Sequence, residues 1–215
     1  MTYEVFIIDD HPLFSRGLAQ LIETQADYKV IGMAKDSIAA LDFLKDKKPA
    51  LIILDLNLGQ EDGLDLIKKI LDIDSSLRIL VLSMHDERFY SERAIAAGAK
   101  GYIMKEEAES QVITAITTVI SGNIYLSENE KERIAHKSKD TITDDITQLI
   151  SPLSDRQLQI LTLIGKGLGT TDIAQMLDLS IKTIDSHKEN MKSKLHCANT
   201  AELRQLAIEW FNKTH

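Results

Sequence analysis

The chain has 215 residues, a formal net charge of −8 from 25 Lys+Arg against 33 Asp+Glu, and one cysteine. That length suits one large domain or two modest ones, and no apolar run approaches the ~20 residues that a membrane span needs. The start Met1-Thr2-Tyr3-Glu4 lacks the basic opening of a signal peptide, and lone Cys197 excludes an internal disulfide, so a reducing, cytoplasmic setting is expected. Taken whole, the acidity argues against nucleic acid. However, residues 151–215 carry eight basic and seven acidic side chains, net +1, which leaves seventeen against twenty-six, net −9, for residues 1–150. Two regions of different character are expected.

In chain order, Val5-Phe6-Ile7-Ile8 is a buried-strand run that breaks at Asp9-Asp10, and His11 to Thr24 reads as a helix with Leu13, Phe14, Leu18, Leu21 and Ile22 on one face. A second strand spans Tyr28 to Ala34, and a second helix runs from Ser37 to Leu44, carrying Ile38, Leu41 and Leu44. Leu51-Ile52-Ile53-Leu54 then delivers Asp55 to a loop, followed by a helix from about Gly63 to Leu71. The run Arg78 to Leu82 ends in Ser83. A helix through Tyr90 to Ala97 stops at Gly98, a C-cap candidate. Gly101 to Met104 makes a fifth strand that ends in Lys105, and the last helix carries Val112, Ile113, Ile116 and Ile120. Five strands alternating with five helices predict a parallel, doubly wound α/β sheet of flavodoxin-like type, with helices on both faces.

In such a sheet the crevice outside the carboxyl ends of the strands is the place for chemistry. Asp9, Asp10, Asp55, Ser83 and Lys105 all fall there. Three crowded carboxylates repel, and burial raises at least one pKa unless positive charge is supplied. Lys105 supplies one unit. A hard divalent cation such as Mg²⁺, which takes one or two carboxylates together with phosphate and water oxygens, supplies the rest. An Asp carboxylate can act as a nucleophile toward phosphorus, and the cation, ammonium and Ser83 hydroxyl could neutralise the equatorial oxygens. Taken singly, each feature has a blander reading: Asp-Asp as a helix start, Asp55 or Ser83 as a cap, Tyr102 as a strand aromatic.

The ordered set Asp9-Asp10, Asp55-Leu56, Asp62-Gly63, Leu82-Ser83 and Gly98-Ala99-Lys100-Gly101-Tyr102-Ile103-Met104-Lys105 resembles the receiver domain of two-component response regulators over about residues 3–122. The resemblance implies that Asp55 accepts a phosphoryl group from a sensor histidine kinase. Asp9 and Asp10 would hold Mg²⁺ directly or through water, with the Asn57 backbone carbonyl completing the site. Ser83 would shift toward the phosphoryl oxygens, Tyr102 would swing inward behind it, and Lys105 would pair with the phosphate. Leu58 and Gly59 stand where the family often has Met-Pro.

Ser127 to Thr143 is dense in charge and reads as a solvated connector, helical in its first half; Ile142, Ile146, Leu149 and Ile150 resume an apolar pattern. The expected division is therefore 1–125, a linker over 126–150, and 151–215. In the last region, capping patterns at Ser154-Asp155-Arg156-Gln157, at Thr170 or Thr171, at Ser180 and at Asn199-Thr200-Ala201-Glu202 open four short helices. Two short helices joined by a tight turn form a helix-turn-helix, whose second helix enters the DNA major groove. On that helix Ile184, Met191 and Leu195 point inward. Lys182, Asp185, Ser186 and Glu189 face outward, and Lys188, Lys192 and Lys194 add positive charge suited to phosphate. An ordinary solvated face has the same charge pattern.

Leu153-Ser154-Asp155-Arg156-Gln157, Gly167-Leu168, Asp172-Ile173-Ala174, Leu179-Ser180, Lys182-Thr183-Ile184, His187 and Lys194-Leu195 resemble the DNA-binding domain of NarL/LuxR-type regulators. That resemblance implies DNA contacts from Lys182, Thr183, Asp185, Ser186, His187, Lys188, Glu189 and Lys192. It also implies a homodimer on twofold-related promoter DNA through the last helix, Leu203 to Trp210. The reading is a phosphorylation-controlled transcription factor, not an enzyme and not a membrane protein. An Asp-nucleophile phosphohydrolase would resemble the haloacid dehalogenase group, which carries an acid two residues after the nucleophile, where this chain has Asn57. A regulator that signals by protein contacts alone would have no use for the complete Asp, Ser and Lys set.

Overall fold

A computed structural model describes residues 2–59, 61–84, 86–137, 149, 150 and 152–214. The chain divides into two compact units, Met1–His136 and Lys137–His215. Ile142 and Ile146, expected to resume the apolar pattern, lie outside the described residues.

The first unit is built on a five-stranded parallel sheet of β1 (Tyr3–Ile8), β2 (Tyr28–Ala34), β3 (Leu51–Leu54), β6 (Ile79–Ser83) and β7 (Gly101–Met104), in the order β2-β1-β3-β6-β7. The central strands are near-continuous apolar runs because both faces are covered. Val5, Ile7, Leu51, Ile53, Leu80, Leu82 and Ile103 pack against Leu18, Ala19 and Ile22 of α1 (Pro12–Glu23) and Val112, Ile116 and Val119 of α5 (Ala108–Ile120). The alternate residues face α2 (Ser37–Asp46), α3 (Gly63–Ile73) and α4 (Glu87–Ala97), as the stacked rings of Phe6 and Phe43, 4.2 Å apart, show for α2. A two-residue antiparallel ladder of β4 (Asn57–Leu58) and β5 (Glu61–Asp62) follows β3. The fold class expected from the alternating pattern is the one observed.

Leu13 is 85 % exposed and Ile38 is 78 % exposed. The buried faces are centred elsewhere, on Ser15, Leu18, Ala19 and Ile22 in α1 and on Ser37, Ala40 and Leu44 in α2, so both apolar residues fall on the outer side of their helices. Gly98 does close α4 in the left-handed region, at φ 111°.

The charged segment after the sheet forms α6 (Glu128–Lys137), and its beginning is not solvated in the way its composition suggested. Glu130 is buried; it accepts a hydrogen bond from Ser91 of α4 and is bound by Arg133 at 2.7 Å. Arg133 also pairs with Glu92, and Ser127 bonds Glu87, which burial pushes above the usual carboxylate range. A carboxylate removed from water needs such donors.

The described helices of the second unit include α7 (Asp155–Gly165), α8 (Thr170–Met176), α9 (Ile181–Lys194) and α10 (Thr200–Thr214). Ser154 and Gln157 form the expected capping box, and Ser180 Oγ accepts the Thr183 N–H at 3.0 Å. The cap of α8 is Gly169, not either threonine: the Asp172 carboxylate accepts the Gly169 N–H at 3.2 Å and leaves Thr170 inside the helix. Leu158, Ile160, Leu161, Ile173, Ile184, Met191, Leu195, Leu203, Ala207 and Trp210 are buried.

Candidate functional site

Hydrogen bonds from the Asp9 N–H to Ala34 and from the Asp55 N–H to Ile8, each 2.9 Å, continue the sheet ladder one residue past the strands. The two carboxylates are thereby fixed at adjacent strand ends. Asp55 is 1 % exposed, and Asp9, Ser83 and Lys105 are buried with it. Lys105 Nζ lies 2.6 Å from Asp55 Oδ2 and 2.7 Å from Asp9 Oδ2, bridging them, and sits 4.6 Å from the Phe14 ring centroid. The Asn57 N–H donates to Asp55 Oδ1 at 3.0 Å. Burial pushes the Asp55 carboxyl up to about 6; Lys105 and the Asn57 N–H act against it, and Asp9 adds repulsion. Asp55 therefore sits at an energetic cost that more positive charge would relieve.

The loop beyond Asp55 is held by backbone necessity. A Cβ on Gly63 would run into the Leu56 backbone, so the Asp62-Gly63 pair can start α3 here only with glycine, and Asp62 caps it by accepting the Leu64 N–H at 3.0 Å. Gly59 has φ 63°, in the left-handed region that proline cannot enter, which explains the loss of a Met-Pro pair at the turn between β4 and β5.

Ser83 ends β6 and Tyr102 lies in β7, two residue pairs earlier in the register, Val81 opposite Tyr102 and Ser83 opposite Met104. Tyr102 has no exposed surface.

Asp10 points at the same rim. Its Oδ1 lies 2.8 Å from His11 Nδ1, which also bonds Asp9 Oδ1 at 3.0 Å, and three carboxylates gathered at one rim are what a cation would satisfy. One donor atom each from Asp9, Asp10, His11 and Asp55 lies within 4.8 Å of the others. These residues fit a divalent cation. Sequence reasoning overlooked His11, although its neighbour Pro12 could have marked it. Proline restricts the preceding residue to extended backbone, and His11 accordingly keeps φ −101° and ψ 93°.

The second candidate surface is α9. Lys182, Asp185, Ser186 and Glu189 are exposed, as their spacing predicted, while Thr183, His187, Lys188 and Lys192 are half-buried. Lys188 bonds Thr170, Lys192 pairs with Glu189 at 2.8 Å, and Lys194 donates to the buried Gln157 Oε1 at 2.8 Å. Burial, and then the charge of Arg156, hold the His187 imidazole below its ordinary pKa. The structure thus separates an outward row from lysines tied back to the fold. On α10, Leu203, Ala207 and Trp210 close the core, leaving Ile208 exposed and Leu206 half-buried.

Residues 5–117 match the family model of the response regulator receiver domain, and residues 151–207 match that of the luxR family of bacterial regulatory proteins. The chain is 33 % identical over 211 residues to the oxygen regulatory protein NreC of Staphylococcus epidermidis, covering 96 % of this chain and 97 % of that one. To NreC of Staphylococcus carnosus it is 31 % identical over 210 residues, again 96 % of this chain and 97 % of that one. Among solved structures it resembles RcsB of Salmonella enterica serovar Typhimurium bound to promoter DNA in the presence of the phosphomimetic BeF₃⁻, with a TM-score of 0.63 and 27 % identity. That match covers 96 % of this chain and 98 % of RcsB.

Proposed function

Since the chain belongs to the DNA-binding response regulators that join a receiver domain to a luxR-family helix-turn-helix domain, we propose that a phosphoryl group on Asp55 controls its binding to promoter DNA. The observation that carries this reading is the rim itself: a buried carboxylate with a raised pKa, bridged by Lys105 to Asp9, with the Asp10 carboxylate close beside them. Asp9, Asp10, Asp55 and the Asn57 carbonyl would hold Mg²⁺, which when bound supplies positive charge for the acyl phosphate. Lys105 neutralises phosphoryl oxygens from one side, Ser83 donates a hydrogen bond to one of them, and Tyr102 fills the space behind Ser83. The phosphoryl donor is a sensor histidine kinase.

In the second unit, Lys182, Thr183, Asp185, Ser186 and Glu189 meet the DNA from the outward row of α9. His187, Lys188 and Lys192 stand at its flank. The phosphorylated protein binds as a homodimer, and Leu206 and Ile208 of α10 are the apolar side chains left over for that contact. The arrangement parallels RcsB on promoter DNA with BeF₃⁻.

Incubation of the full chain with acetyl phosphate and Mg²⁺ is expected to add one phosphoryl group, read by intact mass, and to increase the fraction of promoter DNA retained in a mobility-shift assay. Asp55→Asn should take up no phosphoryl group; uptake by that variant would overturn the site assignment. Multiple turnover of a phosphoester would instead favour a hydrolase.

A further inference from the structure

We infer that Asp185 and Glu189 of α9 select cytosine: each carboxylate accepts a hydrogen bond from the N4 amino group of a cytosine in the major groove, at two positions within about two base-pair steps of each other. The inference rests on the proposed reading of α9 as the DNA-facing helix, and adds to it which bases that helix tells apart.

The first support is the sign of the charge on the outward row. Lys182, Asp185, Ser186 and Glu189 are exposed, and their spacing puts them on one face of the helix. Two of the four are acidic and one is basic. Positive charge that would offset the acids is turned back, since Lys188 bonds Thr170 and Lys194 donates to the Gln157 side chain. A row with that balance gains nothing from phosphate, so its value on DNA lies with the base edges.

The second support is that the fold makes no use of these carboxylates. Asp185 accepts no hydrogen bond among the described residues, and the Ser186 hydroxyl beside it is turned to the Lys182 carbonyl at 3.0 Å. Glu189 is 69 % exposed and pairs at 2.8 Å with Lys192, whose own side chain is 18 % exposed. That pair holds the Glu189 carboxylate from the flank of the row while leaving it accessible.

Base chemistry sets the choice. In the major groove guanine shows the acceptors N7 and O6, and thymine an acceptor and a methyl group, so a carboxylate opposite either base stays unpaired. Adenine offers its N6 amino group beside the N7 acceptor, which repels a second acceptor. Cytosine offers N4–H₂ with a carbon-bound hydrogen as its neighbour, and a carboxylate can meet it without that repulsion. Each acid therefore works more by rejecting wrong bases than by attracting the right one. Four residues of helix advance about 6 Å, and stacked base pairs lie about 3.4 Å apart, which sets the spacing of the two positions.

The test incubates the full chain, treated with acetyl phosphate and Mg²⁺, with a pool of duplexes carrying a randomised core, and sequences the retained fraction. Wild type is expected to enrich cytosine by about tenfold over each other base at two positions with that spacing. Asp185→Asn should change one of them to adenine, whose N6 and N7 an amide meets together, and Glu189→Gln should change the other. Asp185→Ala should erase the preference at the first position, leave the second in place, and raise affinity for unrelated duplexes by about threefold as a negative charge is lost. Trp210 fluorescence matching wild type confirms that the variants fold. A wild type without cytosine preference, base preferences unmoved by the substitutions, or a uniform gain in affinity with no positional change would overturn the inference and leave DNA binding intact. A wild type that retains no duplex would sink the proposed function and the inference together.

Discussion

The two units place their charges in opposite ways. At the receiver rim Asp9, Asp55 and Lys105 are buried and bridged within 2.7 Å, so their contacts are part of the fold itself. On α9 the charges lie outward or half-out, and those that make bonds tie back to α8, to α7 or along their own helix. Buried charge makes a switch, because adding or removing one unit there changes the energy of the whole domain. Exposed charge makes a binding surface, because it can meet phosphate without disturbing what lies beneath.

The largest expected effect tests that coupling. Lys105→Met removes the bridge between two buried carboxylates and should lower the stability of the cation-free protein by about 3 kcal/mol, read by urea unfolding. A change within 0.5 kcal/mol, the usual range of an exposed site, would erase the contrast. Asp55→Asn acts in reverse. A folded pKa of about 6 against 3.8 in the unfolded chain means that the folded state holds the proton more tightly. The associated stability is complete below pH 3.8 and is lost as pH rises through 6, amounting to about 3 kcal/mol at pH 7. Without divalent cation, wild type should weaken from pH 5 to pH 7.5, and the Asn variant should be the more stable at pH 7.5 and lack that slope.

Lys194 and Lys182 sharpen the comparison within α9. Lys194→Ala loses its bond to buried Gln157 and should cost about 1 kcal/mol of stability without altering the salt dependence of DNA binding. Lys182→Ala should leave stability unchanged and reduce the slope of log affinity against log salt by about 1. The smallest effect is a pH dependence of opposite sign to that of Asp55. The lowered His187 pKa means that the unfolded chain takes the proton first. Its contribution is complete above pH 6.5 and is lost as pH falls toward the depressed value. Trp210, the single tryptophan, reports the second unit, and its fluorescence melting point should fall on acidification from pH 7 to pH 5.5.

Much of this was legible in the sequence. Strand ends carry a one-dimensional signature, an apolar run cut off by a polar residue, and a parallel sheet gathers those ends at one rim. Asp9, Asp55, Ser83 and Lys105 could therefore be placed together without coordinates. Ile184, Met191 and Leu195 were readable from helical period. Leu13 and Ile38 were not, because their helices bury a face that includes the small polar Ser15 and Ser37, which an apolar count passes over. Glu130 was misjudged for a related reason: a carboxylate reads as solvent-facing unless its donors are known, and Ser91 sits on a distant helix with no sequence mark of the pairing. His11 was passed over because an exposed histidine at a helix start has many ordinary explanations. Only the distances to Asp9 and Asp10 single it out.

The pairing of Glu130 with Ser91, and of Arg133 with Glu92, joins α6 to α4 by polar bonds instead of grease. Apolar surfaces can slide over one another with little penalty, but a carboxylate sealed from water resists any displacement that strips its donors. A movement of α4 must either carry α6 along as one body or break the latch outright. Motion begun near the sheet is thus passed to the outgoing helix in a discrete step rather than dissipated by degrees.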